Sequence, residues 1–461
     1  MTELYDLIVL GGGRAASLAT AAAKEGWKVA LVERDQLGGT CPNRGCVPSK
    51  LLIGFADAAR HSREAGRHFI HTQYQGADLK KIFASVNEYV GGVDSRNQQR
   101  IENAGVTIIR GEGRFTGHKL VDVAGRTLRA ERIVIATGSR PVPPPYSDLG
   151  AWTSDDLFPL ECEPPASLLV IGGGAIGCEM AAFFAAVGVQ TTLFSQTDRL
   201  LEKEDSDIEQ AFREEFGKHV HTHFHAKLTE LTRGKAGFTA TFRTAAGEEI
   251  YQAERVLFAI GRKPNSEVLD LAEAGITADE KGFIPVDCHL ETTTPGIFAT
   301  GDVNGRYMLQ HAASFEVQFL RKKFLKSDTA PIHECPIGHG IFSHPEVAAV
   351  GKTEDQLKSS GTPYVAVFEN WLASARVMAL RIEYPRVKLL VSPEDYTILG
   401  CHLVGPEASI ILHQVIAVMK LKNDVRELAE MIYIHPALNE CLLAAAETAV
   451  GRVQDFKTRT Q

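Results

Sequence analysis

Two stretches of this chain repeat one pattern, and the repeat restricts its architecture more than any other feature. Leu7-Ile8-Val9-Leu10 runs into Gly11-Gly12-Gly13-Arg14-Ala15-Ala16, an alanine-rich helix, and a second apolar run, Lys28-Val29-Ala30-Leu31-Val32, closed by Glu33. Leu168-Leu169-Val170-Ile171 runs into Gly172-Gly173-Gly174-Ala175-Ile176-Gly177, the helical Cys178-Glu179-Met180-Ala181-Ala182-Phe183-Phe184, and the strand Thr191-Thr192-Leu193-Phe194. Each reads as a β-turn-α-β unit with the glycine spacing of a dinucleotide fold. The spacing has a mechanical reason. Gly11 and Gly172 make the tight turn, Gly13 and Gly174 let backbone N–H groups approach a pyrophosphate, and the third position, Ala16 or Gly177, permits close packing of helix on sheet. One such turn is a weak signal, but both copies lie between a strand and a helix, as the geometry demands. The chain is expected to hold two nucleotides.

The two units end differently. Glu33 lies twenty residues past Gly13, where an acid binds an adenosine ribose, and Arg34 follows it. The second unit ends in Ser195-Gln196-Thr197, with neither an acid for a free ribose nor an arginine for a 2′-phosphate; Arg199 and Lys203 lie further along. NAD is therefore the expected nucleotide there, with NADP as the alternative. Further strands closing on small residues appear at Ile133-Val134-Ile135-Ala136-Thr137-Gly138, at Val256-Leu257-Phe258-Ala259-Ile260-Gly261 before Arg262, and at Gly296-Ile297-Phe298-Ala299-Thr300-Gly301-Asp302. Asp302 is placed to meet a sugar or phosphate hydroxyl. After about residue 335 the texture changes to strands such as Val387-Lys388-Leu389-Leu390-Val391, then apolar helices from Ala408 onward, which reads as a separate α+β unit. The expected fold is α/β: two Rossmann-like dinucleotide-binding domains, residues 1–147 with 269–335 and residues 148–268, plus an α+β carboxy-terminal domain, residues 336–461. Thr458-Arg459-Thr460-Gln461 reads as a frayed end.

A length of 461 residues fits about three domains. A formal net charge of −8 without a basic run gives no footprint for nucleic acid or an acidic membrane surface. No apolar stretch reaches the ~18 residues of a span. Met1-Thr2-Glu3 leads straight into the first strand without a basic n-region or apolar h-region, so a cytoplasmic protein is expected. The eight cysteines are scattered apart from one pair, the usage of a reducing compartment.

That pair lies in Gly38-Gly39-Thr40-Cys41-Pro42-Asn43-Arg44-Gly45-Cys46-Val47-Pro48-Ser49-Lys50. Two thiols this close can exchange a dithiol for a disulfide, and a nucleotide held nearby by Gly11-Gly12-Gly13 is a source of electrons. The alternative, half a zinc site, lacks a second pair at comparable spacing. His333, Cys335 and His339 are crowded but fit no standard metal spacing. His219, His221, His223 and His225 alternate, so on one strand their imidazoles would share a solvated face. Cys178 and Cys441 read as small buried side chains. No metal site is assigned.

Taken together, these residues resemble the flavoprotein disulfide reductases, the family of dihydrolipoamide dehydrogenase and of glutathione, mercuric and mycothione reductases. The likeness covers essentially the whole chain: Gly-Gly-Thr-Cys-x4-Cys-x-Pro-Ser-Lys, both glycine fingerprints, Ala-Thr-Gly-Asp ending at Asp302, and His435-Pro436-Ala437-Leu438-Asn439-Glu440. It implies FAD in the first unit, NAD(P)H in the second, and a homodimer whose carboxy-terminal domain completes the partner's active site. It further implies that Cys46 contacts the flavin and that Cys41 exchanges with substrate, with Lys50 and Glu179 as an ion pair beside the ring. His435 and Glu440 would be an acid-base dyad. Glu33, Arg34, Gly39, Thr40, Gly113, Ala136, Thr137, Gly138, Gly301, Asp302 and the run Met308-Leu309-Gln310-His311 match FAD contacts. Gly174, Ala175, Ile176, Gly177, Ser195, Gly261 and Arg262 match the nicotinamide nucleotide site.

Departures refine the resemblance. Pro42 and Arg44 replace the apolar residues common between the cysteines, so Arg44 is expected to add charge near the disulfide and alter a thiol pKa or substrate fit. Ser49 is typical of the lipoamide, mercury and mycothiol branches, and the chain shows neither the amino-terminal metal-binding module nor the carboxy-terminal cysteine pair of mercuric reductases. The first expectation is a dihydrolipoamide dehydrogenase-like enzyme acting on a lipoyl-carrying protein with NAD. The alternatives are an NADPH-dependent reductase of a small disulfide, nearer the mycothione than the glutathione type, and a flavoprotein scaffold of a multienzyme assembly. Intact Cys41, Cys46, His435 and Glu440 count against the scaffold.

Overall fold

The strand Glu3–Leu10 ends in Leu7, Ile8, Val9 and Leu10, all buried, the pattern of a parallel strand covered on both faces. The computed structural model describes residues 1–332, 335–372 and 374–460. In it this strand is central to a parallel sheet ordered Thr107–Arg110, Val29–Glu33, Glu3–Leu10, Arg126–Ile135, Ile297–Ala299. Gly113–Gly117 and Leu120–Val123 extend the first half of Arg126–Ile135 as an antiparallel meander. The chain thus leaves this sheet after Ile135 and returns to it only at Ile297, alongside Ile133.

The intervening residues build a second parallel sheet, ordered His221–His223, Gln190–Phe194, Ser167–Ile171, Arg255–Phe258. It too carries a meander, Lys227–Gly234, Gly237–Thr244 and Gly247–Ala253. The chain passes between the two sheets through a ribbon in which Ser139–Pro141 pairs with Arg262–Pro264. The third unit is a five-stranded antiparallel sheet, ordered His339–Ile341, Val347–Gly351, Ile398–Val404, Arg386–Val391, Val365–Asn370. Helix Ala408–Leu421 buries Ile411, Leu412, Val415 and Val418, and helix Glu440–Thr460 contributes Leu442, Ala445, Ala446, Ala449 and Val453 to the same core. Both sets follow the helical period. The expected fold class is therefore the observed one. Residues 458–460 differ from their reading as a frayed end: Thr458 Oγ1 donates to Gln454 O at 2.9 Å and the helix runs to Thr460, while Gln461 lies outside the described residues.

One buried cluster ties the second unit to the third. Lys388, 1% exposed at its side chain, donates to Asp205 (2.7 Å), Asp207 (2.6 Å) and Glu354 (2.6 Å). Burial opposes its charge, but the three carboxylates outweigh burial and hold its pKa up. Among the described residues no helix is long and apolar enough to cross a membrane.

Candidate active site

The two glycine turns are built alike. Gly11 has φ +113° and Gly172 φ +118°, and a Cβ on either would lie 2.3 Å from Ala136 O or 2.4 Å from Ala259 O. Only glycine fits there. Gly13 and Gly39 face each other bare, since a Cβ on Gly39 would stand 2.8 Å from Gly13 Cα, and Gly174 has open space before it. Both turns therefore present backbone without side chains, the cradle a pyrophosphate requires.

In front of the first turn lies an open cleft of about 1040 Å³. Gly11, Gly13, Glu33, Arg34, Gly39 and Thr40 line it, as do Cys41, Ala136, Thr137, Gly138, Gly301 and Asp302. Glu33 accepts from the N–H groups of Gly12 (2.6 Å) and Asp35 (2.7 Å), which fixes its carboxylate at the strand end. Asp302 accepts from Ser139 Oγ (2.5 Å), and that hydroxyl in turn accepts from Arg262 Nε (2.9 Å). Arg262 thus sits in the ribbon, engaged with Ser139. Gly113 lines a smaller cavity continuous in residues with the cleft, sharing Gly11, Glu33, Arg34 and Thr137.

Several wall residues escaped the sequence reading. Asn265 exchanges bonds with Thr137 (Oγ1 to Asn265 O, 2.8 Å; Asn265 Nδ2 to Thr137 O, 2.9 Å). Buried Glu316 accepts from Thr300 Oγ1, Gly301 N and Asn304 Nδ2 at 3.0, 2.7 and 3.0 Å and so fixes the turn that carries Asp302. Both are tertiary contacts with no local signature. Ala313 and Val317 also line the cleft, on the same face of helix Gln310–Leu325 as Gln310, which the sequence does single out. Of the run before them, Met308 is exposed, Leu309 caps the helix, and His311 Nε2 lies 2.7 Å from Gly338 O.

The thiols sit on two short-spaced helix starts. Cys41 is the second residue of helix Thr40–Arg44, and Cys46 opens helix Cys46–Glu64, with Gly45 between them. A thiolate at the N-terminus of a 19-residue helix is stabilised by the unpaired N–H groups there. The hydrogen bond from Cys41 lowers Cys46 to about 7, burial working against it and the Lys50 charge assisting; the same bond pushes Cys41 up, with burial adding. In the dithiol form Cys46 is thus the first to ionise.

Lys50, one turn along the same helix, donates to Glu179 Oε1 (2.9 Å) and Oε2 (2.7 Å). Glu179 is buried on helix Ala175–Ala186, two residues past Gly177, and its Oε1 also accepts from Phe342 N–H at 2.9 Å. One carboxylate therefore joins the thiol helix, the second nucleotide turn and the third unit. Ser195 ends the second unit with its hydroxyl turned to Arg199 O (3.0 Å), and Arg199 itself lies 3.5 Å from Glu209 and donates to Glu204 O. Gly261 has φ +115° and lies immediately before the ribbon strand.

His435 Nδ1 lies 2.7 Å from Glu440 Oε1, and Ala437 N–H donates to Glu440 Oε2 at 2.9 Å. These bonds, His435's first, hold the Glu440 carboxyl below its usual range. The imidazole is exposed, beside exposed Ile432 and Ile434, and among the described residues no hydrogen bond joins it to either thiol of its own chain.

Two expectations are corrected. Arg44 does not charge the disulfide: its guanidinium is 2.8 Å from Asp35, and the cation acting on Cys46 is Lys50. The four histidines share no face, because the strand holds only His221–His223. His219 lies in the turn after helix Ser206–Phe216, 3.6 Å from Glu215, and His225 has φ +51°. Cys178 and Cys441 are buried, as read. His339 pairs with Glu204 at 2.7 Å and Cys335 accepts from Lys420 at 3.3 Å; His333 lies outside the described residues.

Residues 5–316 match the family model described as pyridine nucleotide-disulphide oxidoreductase, and residues 337–446 match the dimerisation domain of that family. A dihydrolipoyl dehydrogenase of Bacillus subtilis is 31% identical over 459 residues, covering 96% of this chain and 98% of that one. A dihydrolipoyl dehydrogenase of Haloferax volcanii is 32% identical over 468 residues, covering 97% and 96%. Among solved structures, the HOCl-induced flavoprotein disulfide reductase RclA from Escherichia coli superposes with a TM-score of 0.83 at 26% identity, covering 96% of this chain and 99% of that one.

Proposed function

We propose, from the premise that this chain belongs to the pyridine nucleotide-disulphide oxidoreductase family and carries its dimerisation domain, that it is a dihydrolipoamide dehydrogenase-like enzyme. It would be a FAD-dependent homodimer moving electrons between NAD(H), the Cys41–Cys46 pair and a lipoyl dithiol. The observation that carries this reading is the thiol pair itself: Cys46 at a helix N-terminus, lowered to about 7, one turn before a lysine gripped by Glu179 of the second nucleotide unit. The near-complete coverage of relatives named dihydrolipoyl dehydrogenase supports the choice of dithiol.

In this reading residues 1–147 with 269–335 hold FAD, residues 148–268 hold NAD and residues 336–461 form the dimer. When bound, FAD supplies the two-electron relay between nicotinamide and disulfide. The bare turns at Gly11–Gly13 and Gly172–Gly174 receive the pyrophosphates, and Glu33 and Asp302 accept sugar hydroxyls. Lys50 offers positive charge beside the thiols, and Glu179 orients it. Arg199, past the end of the second unit, is engaged by Glu209, which supports NAD over NADP.

The His435–Glu440 pair of one protomer then serves the thiols of the other, and exposed Ile432 and Ile434 beside it suit a segment that meets a partner. His435 takes the proton of a dihydrolipoyl thiol, whose sulfur attacks Cys41. The Cys41–Cys46 bond breaks, with Cys46 leaving as the thiolate. The second lipoyl sulfur closes the cyclic disulfide as Cys41 departs with the proton His435 holds, and His435, neutral again, takes up the proton of that second thiol. Glu440 fixes the tautomer and supports the imidazolium.

A paired assay with NAD plus dihydrolipoamide, and with NADPH plus a panel of small disulfides, tests the substrate. Rapid NAD reduction with the small disulfides inert is the expected result, and turnover only with NADPH and a small disulfide would replace lipoamide with that disulfide. Cys41→Ser should abolish disulfide turnover while flavin stays bound; retained turnover would refute its role.

A further inference from the structure

A second cavity, of about 720 Å³, lies behind the thiol helix, between it and helix Ala175–Ala186. Its body is apolar, with Ile53, Ala56, Ala182, Phe183 and Ala186 among its walls. At its polar rim three side chains from three elements converge: Glu64, the last residue of the thiol helix; His219, in the turn after Ser206–Phe216; and His344, in the segment before strand Val347–Gly351. One donor atom of each lies within 4.8 Å of the other two.

We propose that Glu64, His219 and His344 form a binding site for a divalent first-row transition ion. Two imidazoles and a carboxylate are a donor set that zinc and its neighbours take, with a further coordination position left toward the cavity. Glu64 Oε1 and His344 Nε2 are buried yet have no hydrogen-bond partner, which costs stability unless something fills the gap.

The support around the donors is already in place. Buried Glu215 lies 3.6 Å from His219 Nε2, the place a carboxylate takes behind a ligating histidine. The nearby cations are each engaged: Arg60 with Asp57 (2.9 Å), Arg63 with Ala185 O (3.3 Å) and over the Tyr74 ring, Arg67 with the other oxygen of Glu64 (3.2 Å), and Lys218 with Glu215 (2.6 Å). Metal–nitrogen bonds of about 2.0–2.1 Å require the three donors to close further, a rotamer-scale movement. A bound ion would pin the far end of the helix that carries Cys46 to the second and third units together.

The test is equilibrium dialysis of Zn2+ against the untagged, FAD-loaded full-length protein with Cys41 and Cys46 kept oxidised, so that the thiols do not compete. One Zn2+ per chain is expected. Glu64→Gln and His219→Asn should each weaken binding at least about 100-fold and Glu215→Gln about 10-fold, while His221→Asn leaves it unchanged. Flavin content and circular dichroism confirm that each variant is folded. Zinc should raise the Tm of the wild type but not of Glu64→Gln. Absence of a stoichiometric ion, or wild-type affinity in either donor variant, would overturn the site.

Discussion

The first and second nucleotide units make the same hydrogen bonds around their glycine turns, and they part at the helix-packing position and at the strand end where a nucleotide would be told from its rivals. Gly11 N–H donates to Val32 O at 2.8 Å and Gly172 N–H to Phe194 O at 2.9 Å; Ala136 N–H meets Leu10 O, and Ala259 N–H meets Ile171 O, both at 2.8 Å. A Cβ on Gly12 would strike Leu37 at 2.7 Å and one on Gly173 would strike Leu200 at 2.8 Å. The backbone of a phosphate turn is thus fixed by sterics and repeats. Two positions differ. The helix-packing site is Ala16 in one unit and Gly177 in the other, where a Cβ would stand 1.9 Å from Gly172 O. The strand ends in Glu33 in one and Ser195 in the other. Geometry is shared between the units and selectivity is not.

The strongest challenge to that comparison is Gly177→Ala. Displacing the second turn should slow flavin reduction by NADH at least about 100-fold, since an ångström of misplacement costs that much, with flavin content unchanged. Its counterpart Ala16→Gly should cost only about 1 kcal/mol of stability. Rapid bleaching by NADH in Gly177→Ala would show that the packing difference is idle. Next in size, Glu33→Gln leaves one of two N–H donors, those of Gly12 and Asp35, without its carboxylate acceptor, and should weaken flavin retention on dilution about 10-fold or more. Ser195→Ala should move the KM for NADH less than about threefold, because its hydroxyl is spent on Arg199 O rather than on a nucleotide and one neutral bond contributes little. Equal losses would erase the distinction.

Ser195→Asp would then sharpen it: a carboxylate at the second strand end should favour NADH over NADPH by about another 10-fold, by accepting ribose hydroxyls and repelling a 2′-phosphate. An unchanged ratio of kcat/KM values would place selection elsewhere. The smallest effect concerns the seam between the units. Alkylation of Cys46 in the dithiol form should accelerate as pH rises through about 7 and fade below it, since the thiolate is the reactive form. Lys50→Met removes a positive neighbour, so the midpoint must move upward; a downward or absent shift would deny Lys50 its influence.

Much of this was visible in the sequence because the constraints are local. A turn that only glycine can make, four buried apolar residues in a row, and a dyad five residues apart all announce themselves within a few positions. The misreadings share another cause. Arg44 was expected to act on its sequence neighbours, but a long side chain answers to the acid it can reach, here Asp35. The histidine run was read with strand period, yet helix Ser206–Phe216 ends too close to His219 for that residue to join the strand. Asn265 reaches the cleft, and Glu316 holds the turn behind it, through contacts that no window of sequence contains.

The Lys388 knot has a bearing on motion. Swinging the second unit away from the third would part Lys388, which keeps Glu354 of its own unit, from fully buried Asp205 and half-exposed Asp207, and breaking one buried pair of this kind costs about 3–5 kcal/mol. At this seam the frame is built as a welded joint rather than a hinge.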